Sequence, residues 1–235
     1  FIITGRLKGF RRPVINQMIK TNLHIMENNA PSQTSTLIER RRLLLAGGAL
    51  LLSPVLARAG AQREETLSDD VASVMRNSVN NANPARLVFA KPADGARWLR
   101  DMSARLARFV PDEAERRRLL THIQYESTRA GLDTQMVLGL IEVESAFRQY
   151  AISGVGARGL MQVMPFWKNH IGRAEHNLFD IRTNLRYGCT ILRHYNNVER
   201  GNLTRALARF NGSLGSNKYP NAVIGAWRNR WQWAG

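Results

Sequence analysis

From Asp94 nearly to the end of the chain, apolar residues return every third or fourth position, the period of a helix with one face turned inward. Trp98, Leu99, Met102, Leu106 and Phe109 form the first stripe, with Asp94 placed to cap its start. Pro111-Asp112-Glu113 opens a second, which carries Leu119, Leu120 and Ile123 and stops at Gly131. Asp133 or Thr134 caps a third that begins with Met136. Further helices are predicted at about 161–171, 184–200, 203–210 and 220–232, and one at 67–79 inside a polar stretch ending in Asn-Asn-Ala-Asn-Pro. Alternating runs are few and no internal repeat is visible. The pattern predicts a mainly α domain over residues 94–235, preceded by a flexible lead-in over 60–93.

The third helix breaks its own pattern. Met136, Val137, Leu140, Ile141 and Phe147 share one face, and Glu144 projects from the middle of it. Glu142 points nearly the opposite way. Moving a carboxylate out of water favours its neutral form and raises its pKa. A carboxylic acid still protonated near neutral pH can give its proton to a leaving oxygen, the role of the general acid in glycoside cleavage. The plainer reading of this position is a buried Glu paired with one of the many arginines.

Composition changes the picture in two ways. The net charge is +16. Residues 1–59 hold nine Lys/Arg and two acids, and the remainder holds 25 against 16, so both parts are basic. A basic domain suits an anionic partner: nucleic acid, a membrane surface or an acidic polymer. Cys189 is the single cysteine, which excludes an intrachain disulfide and a cysteine zinc cluster. The histidines show no metal-ligand spacing, so neither metal nor cofactor is expected.

Residues 1–59 are expected to hold a targeting signal. Arg40-Arg41-Arg42 precede an apolar core of about a dozen residues and a small-residue site at Ala57-Arg58-Ala59, the layout of a secretory signal peptide cleaved before Gly60. Arg40-Arg41-Arg42-Leu43-Leu44 also resembles the twin-arginine export pattern, although Glu39 stands where Ser or Thr is usual; general secretion is the other route. Translation is expected to begin at Met18 or Met26, the residues before it being non-biological. The expected location is the periplasm or cell envelope, with peripheral envelope association, and export disfavours a nucleic-acid partner.

Three motifs follow Glu144 or include it. They are Glu144-Ser145-Ala146-Phe147, then Ser153-Gly154-Val155-Gly156-Ala157-Arg158-Gly159-Leu160-Met161-Gln162, then Ala206-Leu207-Ala208-Arg209-Phe210-Asn211-Gly212. Leu178-Phe179-Asp180 and Asn184-Leu185-Arg186-Tyr187-Gly188 stand between the last two. Together, over about 118–215, they resemble the lytic transglycosylases of the soluble, goose-lysozyme-like type. The resemblance implies a lysozyme-like, mainly α fold with room for a minimal β element, acting on peptidoglycan glycan strands as a monomer. It implies that Glu144 is the single catalytic acid/base, protonating the oxygen between N-acetylmuramic acid and N-acetylglucosamine. Glu144 then takes the proton of the C6 hydroxyl, leaving a 1,6-anhydromuramoyl end. It assigns Ser153 a hydrogen bond near the acid or the acetamido group, and places Gln162 and Met164 along the sugar cleft, with Phe210 and Asn211 in the third motif.

Phe210 departs from the family, which has a tyrosine there whose hydroxyl meets the catalytic carboxyl. Tyr187, Tyr195 and Ser153 are the candidate replacement donors. A two-carboxylate hydrolase needs a second acid about 5–9.5 Å from the first. After Glu144 the domain offers Glu175, Asp180 and Glu199, in stretches that read as exposed or structural. Glu126 precedes on another helix and keeps the two-acid scheme open. The alternatives to a transglycosylase are therefore a peptidoglycan hydrolase of the same fold and a non-catalytic peptidoglycan-binding protein.

Overall fold

The computed structural model describes residues 62–234, so the expected signal peptide and its cleavage site lie outside the described residues. Within them lie eight α-helices: α1 Asp69–Val79, α2 Pro92–Leu106, α3 Glu113–Arg129, α4 Thr134–Ser145, α5 Trp167–Ile171, α6 Ile181–Val198, α7 Leu203–Asn211 and α8 Lys218–Ala226. A π-helical turn, Trp227–Trp231, extends α8.

Four helices begin on the side chain that the sequence supplies as a cap. Asp112, Asp133, Asp180 and Asn202 each accept from the backbone N–H three residues on, at the starts of α3, α4, α6 and α7. Each cap is worth about 1 kcal/mol. Asp94 is not a cap. Pro92, with its φ already fixed, starts α2, and Asp94 lies in the first turn bonded to Arg97.

α4 is the central element. Its residues from Met136 to Ile141 are all buried, and it packs on α3, on α8 and on the π-helical turn. Gly139 sets the closest of these approaches. A Cβ there would lie 2.8 Å from the Trp227 nitrogen and 3.0 Å from the Val223 carbonyl, so α8 rests almost directly on the α4 backbone. The C-terminal tryptophans serve packing: Trp231 is 1 % exposed and donates to Glu142, and Trp233 donates to Asp101.

The sequence also misleads in the loop after α4. The spacing of Met161 and Met164 predicts a helix over 161–171, but only Trp167–Ile171 is helical. Gln162 has φ +47°, which no right-handed helix contains. Arg158 and Val163 instead exchange both backbone hydrogen bonds at 3.0 Å, and Arg158 also bridges to Ile152. These bridges are the minimal β element. The stretch read as a flexible lead-in also lies down on the domain: α1 packs on α5 and α6, with Met75 and Val79 buried.

Candidate active site

Glu144 lies in the last turn of α4, half-buried. Ser145 ties that turn to the following loop, donating from Oγ to the Leu160 carbonyl at 2.8 Å. The chain then turns sharply through Ala146 (φ 49°) and Phe147 (φ 61°), two successive left-handed residues without glycine. Such conformations cost on the order of 1–3 kcal/mol each and persist where the surroundings over-determine them. Here the hydrogen bond of Ser145 and the buried Phe147 ring hold the turn, and they fix where Glu144 points.

The returning loop is held from behind by Asn184 on α6. Its Oδ1 accepts from the Met161 N–H at 2.8 Å, and its Nδ2 donates to the carbonyls of Arg158 and Leu178. Gly159, at φ +76°, must lack a side chain, because a Cβ would sit 2.6 Å from the Leu178 carbonyl oxygen.

From the other side, α8 brings Tyr219. Its hydroxyl donates to Glu144 Oε1 at 2.6 Å. Burial pushes the Glu144 carboxyl up to about 8, while the Tyr219 hydrogen bond pulls it down by a smaller amount. Burial, and the adjacent carboxyl, also raise the Tyr219 hydroxyl well above its usual range, so it remains a donor. The pair presents a proton held ready at neutral pH and a second donor that stabilises the carboxylate once the proton has left.

Most of the carboxylates raised as possible partners are engaged elsewhere. Glu126 is fully buried and sealed by Arg186, at 2.6 and 3.0 Å, and by Arg129 at 2.7 Å. That closes the route by which it could join a two-acid scheme. Glu142 is bonded to Arg108, Arg230 and Trp231. Glu199 is bonded to Arg205 and Arg209, Asp180 caps α6, and Glu175 is exposed.

Residues 121–223 match the family model of the transglycosylase SLT domain. The chain is 28 % identical over 128 residues to a membrane-bound lytic murein transglycosylase C from Cronobacter sakazakii, covering 46 % of this chain and 35 % of that protein. It is 36 % identical over 106 residues to a transglycosylase of Enterobacteria phage PRD1, covering 42 % and 38 %. A shorter match, 49 % identical over 53 residues, is to a membrane-bound lytic murein transglycosylase C from Glaesserella parasuis, covering 23 % and 15 %. The chain thus spans well under half the length of these curated relatives.

Within the matched stretch the expected site residues separate. Glu144 occupies the place the sequence gives it. Ser153 is not hydrogen-bonded to it among the described residues: the Ser153 Oγ accepts from the Ala157 N–H at 3.0 Å and closes the loop turn. Gln162, read as a sugar contact, is 4 % exposed and clamps the loop from within, its Nε2 donating to the carbonyls of Gly159 and Ala151. Met164 is half-buried and packs on the core. Phe210, read as part of the substrate site, is fully buried and has no surface to offer a ligand. Asn211 is 4 % exposed, and its Nδ2 has no hydrogen-bond partner among the described residues.

The replacement donor is none of the three candidates. Tyr187 shares a hydrogen bond with His176, the Tyr195 hydroxyl is buried without a partner among the described residues, and Ser153 is used in its turn. Tyr219 supplies the hydroxyl instead, from the first turn of α8 and nine positions beyond Phe210. Its one sequence signal is a Tyr-Pro pair at a helix start just past the third motif.

Proposed function

We propose that the protein is a peptidoglycan lytic transglycosylase that cleaves the MurNAc-β-1,4-GlcNAc bond and leaves 1,6-anhydroMurNAc ends. The observation that carries this is the Glu144 carboxyl, raised by burial to about 8 and bonded to the Tyr219 hydroxyl, with Glu126 and Glu142 engaged by arginines instead. Glu144 gives its proton to the glycosidic oxygen as the bond from C1 to that oxygen breaks. The new carboxylate, held by Tyr219, then accepts the proton of the C6 hydroxyl as that oxygen bonds to C1. The acid ends protonated, and no water is consumed. The names of the relatives, two of them membrane-bound murein enzymes, support a place at the cell envelope. The basic balance of the chain suits an acidic polymer.

Mass spectrometry of digested peptidoglycan tests this. Anhydro ends, lighter by one water than reducing ends, are expected from the wild type, and none from Glu144→Gln. Reducing ends would establish a hydrolase instead. Binding without new ends of either kind would establish a non-catalytic protein.

A further inference from the structure

Gln62 lies outside the SLT match, in the polar stretch before α1, yet it is 3 % exposed. Its Oε1 accepts from the Trp167 indole N–H at 2.9 Å and from the Met164 backbone N–H at 3.2 Å. Its Nε2 reaches the Gln162 carbonyl at 3.4 Å. One side chain therefore serves the backbone on both sides of Val163, together with the indole of the helix that follows. The same stretch is tied down twice more, by Glu64 to His170 at 2.6 Å and by Glu65 to Arg209 at 2.8 Å.

We propose that Gln62 is a positioning residue for the Met161–Pro165 loop, so that a residue upstream of the SLT match sets one wall of the sugar cleft. This rests on the transglycosylase reading, in which Met164 lines that cleft. The loop needs an external hold. Gln162 sits in a left-handed conformation, and its own side chain secures only the inner side of the loop, against Gly159 and Ala151. The Met164 N–H and the Trp167 indole N–H face the other way, and Trp167 is 1 % exposed. Left without an acceptor, each buried donor carries a desolvation penalty that the loop can relieve only by shifting toward water. With cleavage before Gly60, Gln62 would be the third residue of the exported chain. The leader would then be removed without losing the side chain that holds the loop.

The test uses the full exported protein with Gln62→Met, which fills the space without bridging, and Gln62→Glu, which keeps an accepting oxygen. Glu64→Gln, on the same strap but away from the loop, is the control. Amide hydrogen exchange at Met164 is read together with kcat and KM for anhydro-end formation on soluble glycan fragments. Gln62→Met is expected to speed exchange at Met164 by about tenfold and to raise KM about fivefold, with kcat within about twofold because Glu144 and Tyr219 are untouched. Gln62→Glu should restore most of the KM, and Glu64→Gln should leave it unchanged. Unchanged exchange and KM in Gln62→Met would overturn the proposal, as would an equal rise in Glu64→Gln. If the wild type forms no anhydro ends, the transglycosylase reading fails on its own. Exchange at Met164 then decides whether Gln62 holds the loop.

Discussion

Glu142 and Glu144 are two residues apart on α4, and they face opposite ways into different chemistry. Glu142 meets Arg108, Arg230 and the Trp231 indole, and joins α4 to the turn after α2 and to the π-helical turn. Glu144 meets one neutral hydroxyl, that of Tyr219, and no cation is bonded to it among the described residues. As whole residues both are half-buried. What separates them is the surroundings of the carboxyl: that of Glu142 meets cations and serves as a structural tie, whereas burial, against a neutral donor, raises that of Glu144 to about 8. A helix can therefore carry an ionic brace on one face and, in the proposed reading, a general acid on the other.

The largest break in this contrast is Glu144→Gln. It should lower formation of anhydro ends by about a thousandfold, since an amide has no proton to give. The same variant should be more stable than the wild type at neutral pH. The folded pKa of about 8 stands above the unfolded value of 4.5, so wild-type stability is undiminished below pH about 4.5 and declines as pH rises from there to about 8. Melting of both proteins across that window should show the gap opening with pH, to on the order of 1–3 kcal/mol. A gap that stays constant with pH would mean that Glu144 ionises in the folded protein as readily as in the unfolded one.

Glu142→Ala should act in the opposite sense. Loss of the acceptor for the buried Trp231 indole, and of two arginine partners, is expected to cost about 1–2 kcal/mol in denaturant unfolding, with kcat at the wild-type level. A large loss of kcat there would show that the two faces are not independent.

Tyr219→Phe tests what keeps the acid from rising further. The hydroxyl lowers the Glu144 pKa, so its removal should move the alkaline limb of the pH–activity profile up, by about one unit at most. The maximal rate should fall as well, because the carboxylate formed after proton transfer loses its donor. Superimposed profiles would disconnect Tyr219 from the chemistry. The smallest effect is expected from Ser153→Ala, which removes one turn hydrogen bond. Stability should drop by about 0.5–1 kcal/mol, with the pH profile unmoved.

The candidate acid was legible because a helix face is a local property: Met136, Val137, Leu140 and Ile141 fix which way Glu144 points, and Asp133 fixes where the helix starts. The caps at Asp112 and Asp180 were legible for the same reason. Tyr219 was not, because its meeting with Glu144 depends on how α8 crosses α4, and no spacing along the chain encodes a crossing. The Met161–Pro165 loop was misread as helix because Met161 and Met164 carry a helical period by coincidence. What decides the loop is the pairing of Arg158 with Val163 across a tight turn and the tertiary hold of Asn184 from α6. Gln62 was invisible in a stretch whose polarity reads as solvated, since nothing local shows that a glutamine will bridge two buried donors about a hundred residues away.

The close seating of α8 at Gly139 reaches further than packing. Glu144 and Tyr219 belong to the two helices that this glycine lets touch, so the length of their hydrogen bond is a gauge of the gap between those helices. The carbonyl stretch of the protonated Glu144 side chain depends on how strongly that bond pulls. Infrared difference spectra of the Glu144 carboxyl should therefore register any sliding or tilting of α8, with that carboxyl serving as a vibrational ruler inside the protein. Gly139→Ala, which wedges a methyl group between the α4 and α8 backbones, is the calibration point for that ruler.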